Sequence, residues 1–316
     1  MKQPCPPLVI KSFAKLNLYL QVLNKRKDQF HNLNTLFCRI DLADTIILKK
    51  RKDNLIKIKC DSRHVPSGPA NLCWRAAWLL RRKFNLKTGL TIEIKKRIPV
   101  GAGLGGGSSN AASVILGLNK YWHLNLPKKK LASLGAAIGS DIAFFIYNAK
   151  FAEARGRGEK INPLSSLAKL KLWFILVYPH VKVSTPLIYR KFDKFSQRNP
   201  DFGQTKEVKK QDKNQGAGLT IPRPSVKIFA SELLKNGQGF KASYLVNDLE
   251  VITSSLYPVV KQVKKSLSNI GLEKIMMSGS GPAVFAVCSS YKQAKDLSGR
   301  LARKHKSWQV FVTSAI

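Results

Sequence analysis

The chain has 316 residues, 44% of them apolar, with 55 lysines and arginines against 18 aspartates and glutamates, a formal net charge of +37. That length allows two domains of ordinary size, each with its own core. No apolar run is long enough to span a bilayer, and Met1 to Pro7 lacks the apolar stretch of a secretory signal, which predicts a cytoplasmic location.

In chain order, residues 8–22 alternate as a strand does, with Ala14, Leu16, Leu18, Leu20 and Val22 on one face and Lys15, Asn17, Tyr19 and Gln21 on the other. A second strand-like run extends from Asp44 to Lys59. Residues 70–84 carry Leu72, Ala76, Leu79 and Leu80 at helical spacing. A strand at Leu90–Ile94 leads into a glycine-rich stretch, and Ser108–Leu118 reads as a helix. Beyond an apolar strand at Leu172–Tyr178, the polar segment 194–223 is expected to be a long loop or flexible insertion. Helices near Val226–Lys235, Pro258–Ile270 and Tyr291–Lys304 follow, with strands at Lys274–Met277, Ala283–Cys288 and Gln309–Thr313. The order strand, helix, strand, strand, helix, strand suits a ferredoxin-like split βαβ unit. The fold class is therefore α+β, with a boundary expected near residue 165 between an N-terminal domain, 1–165, and a C-terminal domain, 166–316.

Two chemistries are excluded early. The five cysteines (Cys5, Cys38, Cys60, Cys73 and Cys288) are odd in number, scattered and never spaced C-x-x-C, which suits a reducing compartment rather than a disulfide framework or zinc site. The five histidines form no H-E-x-x-H, so no protein metal site is assigned. The positive charge runs along the whole chain and locates no site. It reflects either the general composition of the source proteome or a polyanionic partner.

The most informative stretch is Pro99-Val100-Gly101-Ala102-Gly103-Leu104-Gly105-Gly106-Gly107-Ser108-Ser109. Its glycines let the backbone approach a ligand closely, and the following helix offers unpaired N–H groups and the positive end of its dipole. That is a cradle for nucleotide phosphates, to which the serine hydroxyls can add contacts to phosphate or Mg²⁺. A dinucleotide-binding reading needs an acidic residue about 20 positions on, and no carboxylate occurs between Glu93 and Asp141. A Walker A reading needs Gly-Lys-Ser/Thr, and Gly107 is followed by Ser108. Asp141, in Gly139-Ser140-Asp141-Ile142, is either the cap of a short apolar helix or the group that orients an attacking hydroxyl.

Three segments together resemble the GHMP kinases: Ala14-Lys15-Leu16-Asn17-Leu18, the Pro99–Ala112 loop, and Met277-Ser278-Gly279-Ser280-Gly281-Pro282. The resemblance implies a two-domain fold, with an N-terminal half related to a ribosomal protein domain and a ferredoxin-like C-terminal half. It also implies ATP and Mg²⁺ as cofactors. Asp28-Gln29-Phe30-His31-Asn32-Leu33, Gly156-Arg157-Gly158-Glu159 and Asn247-Asp248-Leu249-Glu250 are most similar to the branch serving non-mevalonate isoprenoid synthesis. By that resemblance the acceptor is the 2-hydroxyl of 4-diphosphocytidyl-2-C-methyl-D-erythritol, Lys15 and Asp141 are the catalytic pair, and Pro99 to Ser109 hold ATP. His31 would read the cytosine edge, Phe30 and Tyr189 would stack on the ring, and Asn17 would contact the methylerythritol part. Gln29 stands where that branch usually has Gly, and Ala143 where Pro is usual. Alternatives are a homoserine- or mevalonate-type kinase, or a basic RNA-binding protein. The kinase reading needs a small-molecule cytidine diphosphate substrate, no membrane and no nucleic acid, in a monomer or homodimer.

Overall fold

The computed structural model describes residues 6–200, 202 and 224–316. The chain runs β1 (Leu8–Lys25), β2 (His31–Arg51), β3 (Ile56–Cys60), α1 (Leu72–Lys83), β4 (Gly89–Lys95), α2 (Gly106–Tyr121), α3 (Lys128–Ala136), α4 (Ile142–Tyr147), β5 (Phe151–Gly156) and β6 (Lys160–Pro163). It continues with β7 (Trp173–Tyr178), α5 (Thr185–Arg198), α6 (Val226–Asn236), β8 (Val246–Asn247), α7 (Glu250–Leu256), α8 (Val259–Ser268), β9 (Ile275–Met277), β10 (Val284–Cys288), α9 (Tyr291–Lys304) and β11 (Gln309–Ser314).

Two sheets organise these elements. The first has the order β3-β4-β2-β1-β8, with β5 paired to the first part of β2 and β6 paired to β5. It is antiparallel except for the β3–β4 and β1–β8 pairs. Alternation on β2 and β4 sends Ile46, Leu48, Leu90, Ile92 and Ile94 to one face, where Ala76, Leu80, Val114 and Leu118 of α1 and α2 cover them. The second sheet has the antiparallel order β11-β7-β10-β9. That is the expected ferredoxin-like arrangement, with Val260, Val263 and Leu267 of α8 and Ala294 and Leu301 of α9 packed on Ile175, Val177, Val284 and Ala286. The opposite residues, Phe174, Leu176 and Phe285, pack with Ala14, Leu16, Leu18 and Ile40 of the first sheet. One apolar core therefore joins the two sheets.

Several sequence expectations change. The run 44–59 is two strands, because Arg51–Asp53 pairing and the Leu55 N–H donating to Asp53 close a turn over residues 52–55. β2 also begins well before Asp44, at His31. The alternation of β1 is interrupted, with a register shift between Asn17 and Tyr19. Tyr19 consequently joins Leu16 and Leu18 in one core, while Leu20 and Val22 turn into another. The face carrying Lys15, Asn17 and Gln21 is buried as well. Lys194–Arg198 belong to α5 rather than to a loop; of the remaining insertion, 201 and 203–223 lie outside the described residues. No helix among the described residues is long and apolar enough to cross a membrane.

Candidate active site

A single cavity of about 1000 Å³ is lined by the glycine loop, the N-terminus of α1, the β1–β2 turn, α5 and the loop after β9. Its floor is β1, and the bulge that upsets the strand's alternation lies beside the residues that matter. Lys15 is 4% exposed. Its Nζ donates to Asn17 Oδ1 at 2.5 Å, lies 3.7 Å from Asp141 Oδ2 and sits 5.2 Å from the centre of the Phe37 ring. Burial lowers the Lys15 pKa from its ordinary value, and the charge of Asp141 partly opposes that shift.

Asp141 occupies the N-cap position of α4, but its carboxylate makes no capping hydrogen bond. It points instead into the cavity toward Lys15. Asn17 is committed at both ends, since its Nδ2 donates to Thr35 Oγ1 at 2.9 Å while its Oδ1 holds Lys15. Its geometry is that of a group orienting the lysine.

The glycine loop has the shape the sequence predicts. Gly101, Gly103 and Gly105 have φ of 70°, 78° and 68°, the left-handed region that a side chain disfavours. Gly105 caps α2, so the helix N-terminus opens onto the cavity. Pro99 through Ser108 line that cavity, whereas Ser109 is buried with its hydroxyl 2.8 Å from Ser12 Oγ. The loop leans on the segment after β9. Ser278 Oγ donates to the Gly103 carbonyl at 3.1 Å, and the Ala283 N–H donates to Ala102 O. Asn247 holds that segment from behind by donating to the carbonyls of Met277 and Gly279.

At the cavity's other end His31 is buried and stacks on Tyr189, with ring centres 5.2 Å apart and planes inclined by 25°. Phe30 is 51% exposed, with the Arg157 guanidinium 4.8 Å from its ring centre. Burial, followed by the charges of Asp141 and Asp248, pushes the Tyr189 hydroxyl's pKa up. Gln29, at the departure from the branch pattern, has φ of 67°. The turn nevertheless closes, with Arg26 N–H donating to Phe30 O at 2.8 Å.

Two features escaped the sequence reading. Asp193 of α5 meets His31 Nε2 at 2.6 Å and Lys25 Nζ at 2.8 Å, fixing the imidazole. Behind the glycine loop, fully buried Asp44 pairs with Lys96 and accepts from Arg97 N, Ile98 N and Asn110 Nδ2. Sequence spacing carried no signal for Asp193. Lys96 was hidden in the run Lys95-Lys96-Arg97, where only strand alternation separates an inward from an outward side chain. Among the described residues no group of three or more His, Cys, Asp or Glu side chains could hold a metal ion.

The fold and this site define a small-molecule kinase, and comparisons with known proteins agree. Residues 71–149 match the model of the GHMP kinases N terminal domain, and residues 221–307 match that of the GHMP kinases C terminal. The chain belongs to the GHMP kinase family. It is 39% identical over 280 residues, 89% of this chain and 88% of the relative, to 4-diphosphocytidyl-2-C-methyl-D-erythritol kinase of Geobacillus sp.. It is 38% identical, over the same shares, to the enzyme of that name from Bacillus cytotoxicus. A crystal structure of 4-(cytidine 5'-diphospho)-2C-methyl-D-erythritol kinase superposes with a TM-score of 0.72 at 29% identity, covering 98% of this chain and 100% of that one. A homoserine kinase from Cytophaga hutchinsonii shares the fold at 17% identity and a TM-score of 0.68, covering 99% of this chain and 96% of that one.

Proposed function

We propose that the chain transfers the γ-phosphoryl group of ATP to the 2-hydroxyl of 4-diphosphocytidyl-2-C-methyl-D-erythritol, in the cytoplasm, as a step of non-mevalonate isoprenoid precursor synthesis. The observation that carries this reading is that one cavity is lined by the glycine loop, by buried Lys15 beside the Asp141 carboxylate, and by His31 stacked on Tyr189. The names of the relatives support the same substrate.

Phosphoryl transfer asks for positioning and charge neutralisation more than for covalent chemistry by the protein. Pro99 to Ser108 hold the triphosphate through backbone N–H groups. Asp141 accepts the proton of the acceptor hydroxyl, and Lys15 steadies the resulting negative oxygen while keeping Asp141 aimed. Mg²⁺ is usually bound through substrate phosphates and one or two protein oxygens, so a site with few protein ligands fits it; Ser108 and Asp141, which line the cavity, would hold it, and it would supply neutralisation of phosphate charge. Asp193 holds Nε2 of His31, leaving the rest of the ring edge for the cytosine, while Tyr189 and Phe30 supply aromatic surface. The division into residues 1–165 and 166–316 belongs to this proposal, with the substrate held between the two parts.

The test is coupled ADP release with the cytidine substrate against homoserine and mevalonate. Turnover confined to the cytidine substrate supports the assignment. Equal or better turnover of either small alcohol overturns the acceptor and leaves the family unchanged.

A further inference from the structure

The helices α1 and α2 cover only one face of the first sheet. The opposite face is built from the outward positions of four strands. The register places Lys11 beside Thr45 and Thr45 beside Lys95; Val9, Ile47, Glu93 and Lys59 form the next row, and Lys49, Thr91 and Lys57 the third. Arg51 closes the patch, its Nη1 donating to Thr91 Oγ1 at 3.0 Å. Six cations (Lys11, Lys49, Arg51, Lys57, Lys59 and Lys95) therefore face outward. The carboxylates there are Glu93, 2.7 Å from Lys49, and Asp53, paired with Arg51. A shallow basin over β2–β4 runs through the patch.

Lysines on an edge strand discourage strands of other molecules from pairing with it, which accounts for Lys57 and Lys59 on β3. That explanation also reaches Lys11, because β8 pairs with β1 only at Tyr19 and Leu20, but not Lys49 or Lys95, which lie on the interior strands β2 and β4. We propose that this face binds the sugar–phosphate backbone of a nucleic acid, independently of the kinase site on the other side of the sheet. Cations two residues apart on a strand are about 7 Å apart, and neighbouring strands lie about 4.8 Å apart. The result is a regular lattice of donors to which an extended polyphosphate chain is complementary. The face carries Val9 and Ile47, and its aromatic side chain, Phe13, next after Lys11 on β1, is half-buried with the Arg39 guanidinium 5.6 Å from its ring centre. The face lacks the large apolar anchors that seat a protein in a lipid interface and the stacking platforms that read bases. Recognition is accordingly of phosphate and independent of sequence. Residues 203–223 are no electrostatic complement, with Lys206, Lys209, Lys210, Lys213 and Arg223 against Glu207 and Asp212.

The experiment is fluorescence anisotropy of a labelled single-stranded RNA of mixed sequence across a salt series. Wild type should show a log–log salt slope of about −3, at about −0.7 for each phosphate neutralised by the four cations that neither Glu93 nor Asp53 pairs. Lys57→Glu/Lys59→Glu/Lys95→Glu should lose most of that slope and at least about tenfold in affinity. Lys128→Glu/Lys129→Glu/Lys130→Glu, on the exposed start of α3, should keep the wild-type slope despite the same change in net charge. Single melting transitions confirm that both triples fold. Should the first not fold, Lys59→Gln alone should reduce the slope by about 0.7. Absence of RNA binding, equal slope losses in the two triples, or binding to phosphatidylserine vesicles without binding to RNA would each overturn the proposal.

Discussion

Lys15 Nζ and Asp141 Oδ2 stand 3.7 Å apart, the ammonium buried and the carboxylate partly open to the cavity. If the carboxylate is the proton acceptor, Asp141→Asn should lower turnover by about 10²–10⁴ while ATP still binds. The substitution also removes the charge that opposes desolvation of Lys15. Any residual activity should therefore decline at lower pH on its alkaline limb than in wild type, whose limb should itself lie below the ordinary lysine value of 10.5. Steady-state rates across pH on both proteins check this, and wild-type turnover in the variant would return Asp141 to a purely structural position.

The same pKa shift makes a claim about stability. Below its lowered folded pKa, Lys15 remains charged in the core and the full cost is present. Between that pKa and 10.5 the unfolded chain binds more protons, so stability rises with pH. Lys15→Met should abolish turnover yet leave the melting temperature at pH 7 unchanged or higher. A large drop in melting temperature would show that the ion pair stabilises the fold.

The loop glycines should separate into two kinds. A Cβ on Gly103 would collide with the Ser278 carbonyl oxygen, and φ there is 78°. Gly103→Ala should therefore destabilise the whole protein, by about 1–3 kcal/mol. A Cβ on Gly107 meets only Leu72 Cδ1 at 3.7 Å, an ordinary contact. Gly107→Val should melt near wild type while weakening ATP binding, as calorimetry would show.

His31→Ala should raise KM for the cytidine substrate, and not for ATP, by the equivalent of about 1–3 kcal/mol. Asp193→Asn should move the same constant in the same direction by less, because it loosens the imidazole without removing it. Uridine and cytidine versions of the substrate should differ strongly in kcat/KM with wild type and hardly at all with His31→Ala. Equal use of both by wild type would remove His31 as the reader.

Asp44→Ala should cost about 3–5 kcal/mol in denaturant unfolding, since it strands Lys96 in the core and frees the backbone N–H groups of Arg97 and Ile98. The loop those residues lead into should bind ATP more weakly in whatever fraction folds.

What could be read from the sequence was local. The period-2 pattern of β1, the helical spacing of α1 and the strand–helix alternation after residue 258 each follow from a single segment and its nearest neighbours. The glycine loop was legible for the same reason, because its conformation is written in residues that have no Cβ. The full length of β2 was not, since its first half pairs with β5 and its second with β4, both distant in sequence. Nor was the burial of Lys15, which depends on the segment after β9. Asp193 and Lys25 come together only through packing of α5 against the end of β1. In the site, the sequence identified the groups that carry charge or curvature; it did not identify the partners that hold them still.

The back of the glycine loop is Ser278, 175 positions beyond the Gly103 carbonyl that it bonds. If the loop holds nucleotide, its capture should come late in folding, after the distant segment has docked. A chain with only its first sheet formed would display the glycine loop without its backing, and added ATP would do little to rescue it. Fluorescent nucleotide uptake during refolding should lag behind the growth of secondary structure. Destabilising changes in the second sheet, far from any substrate, should appear first as lost affinity for ATP.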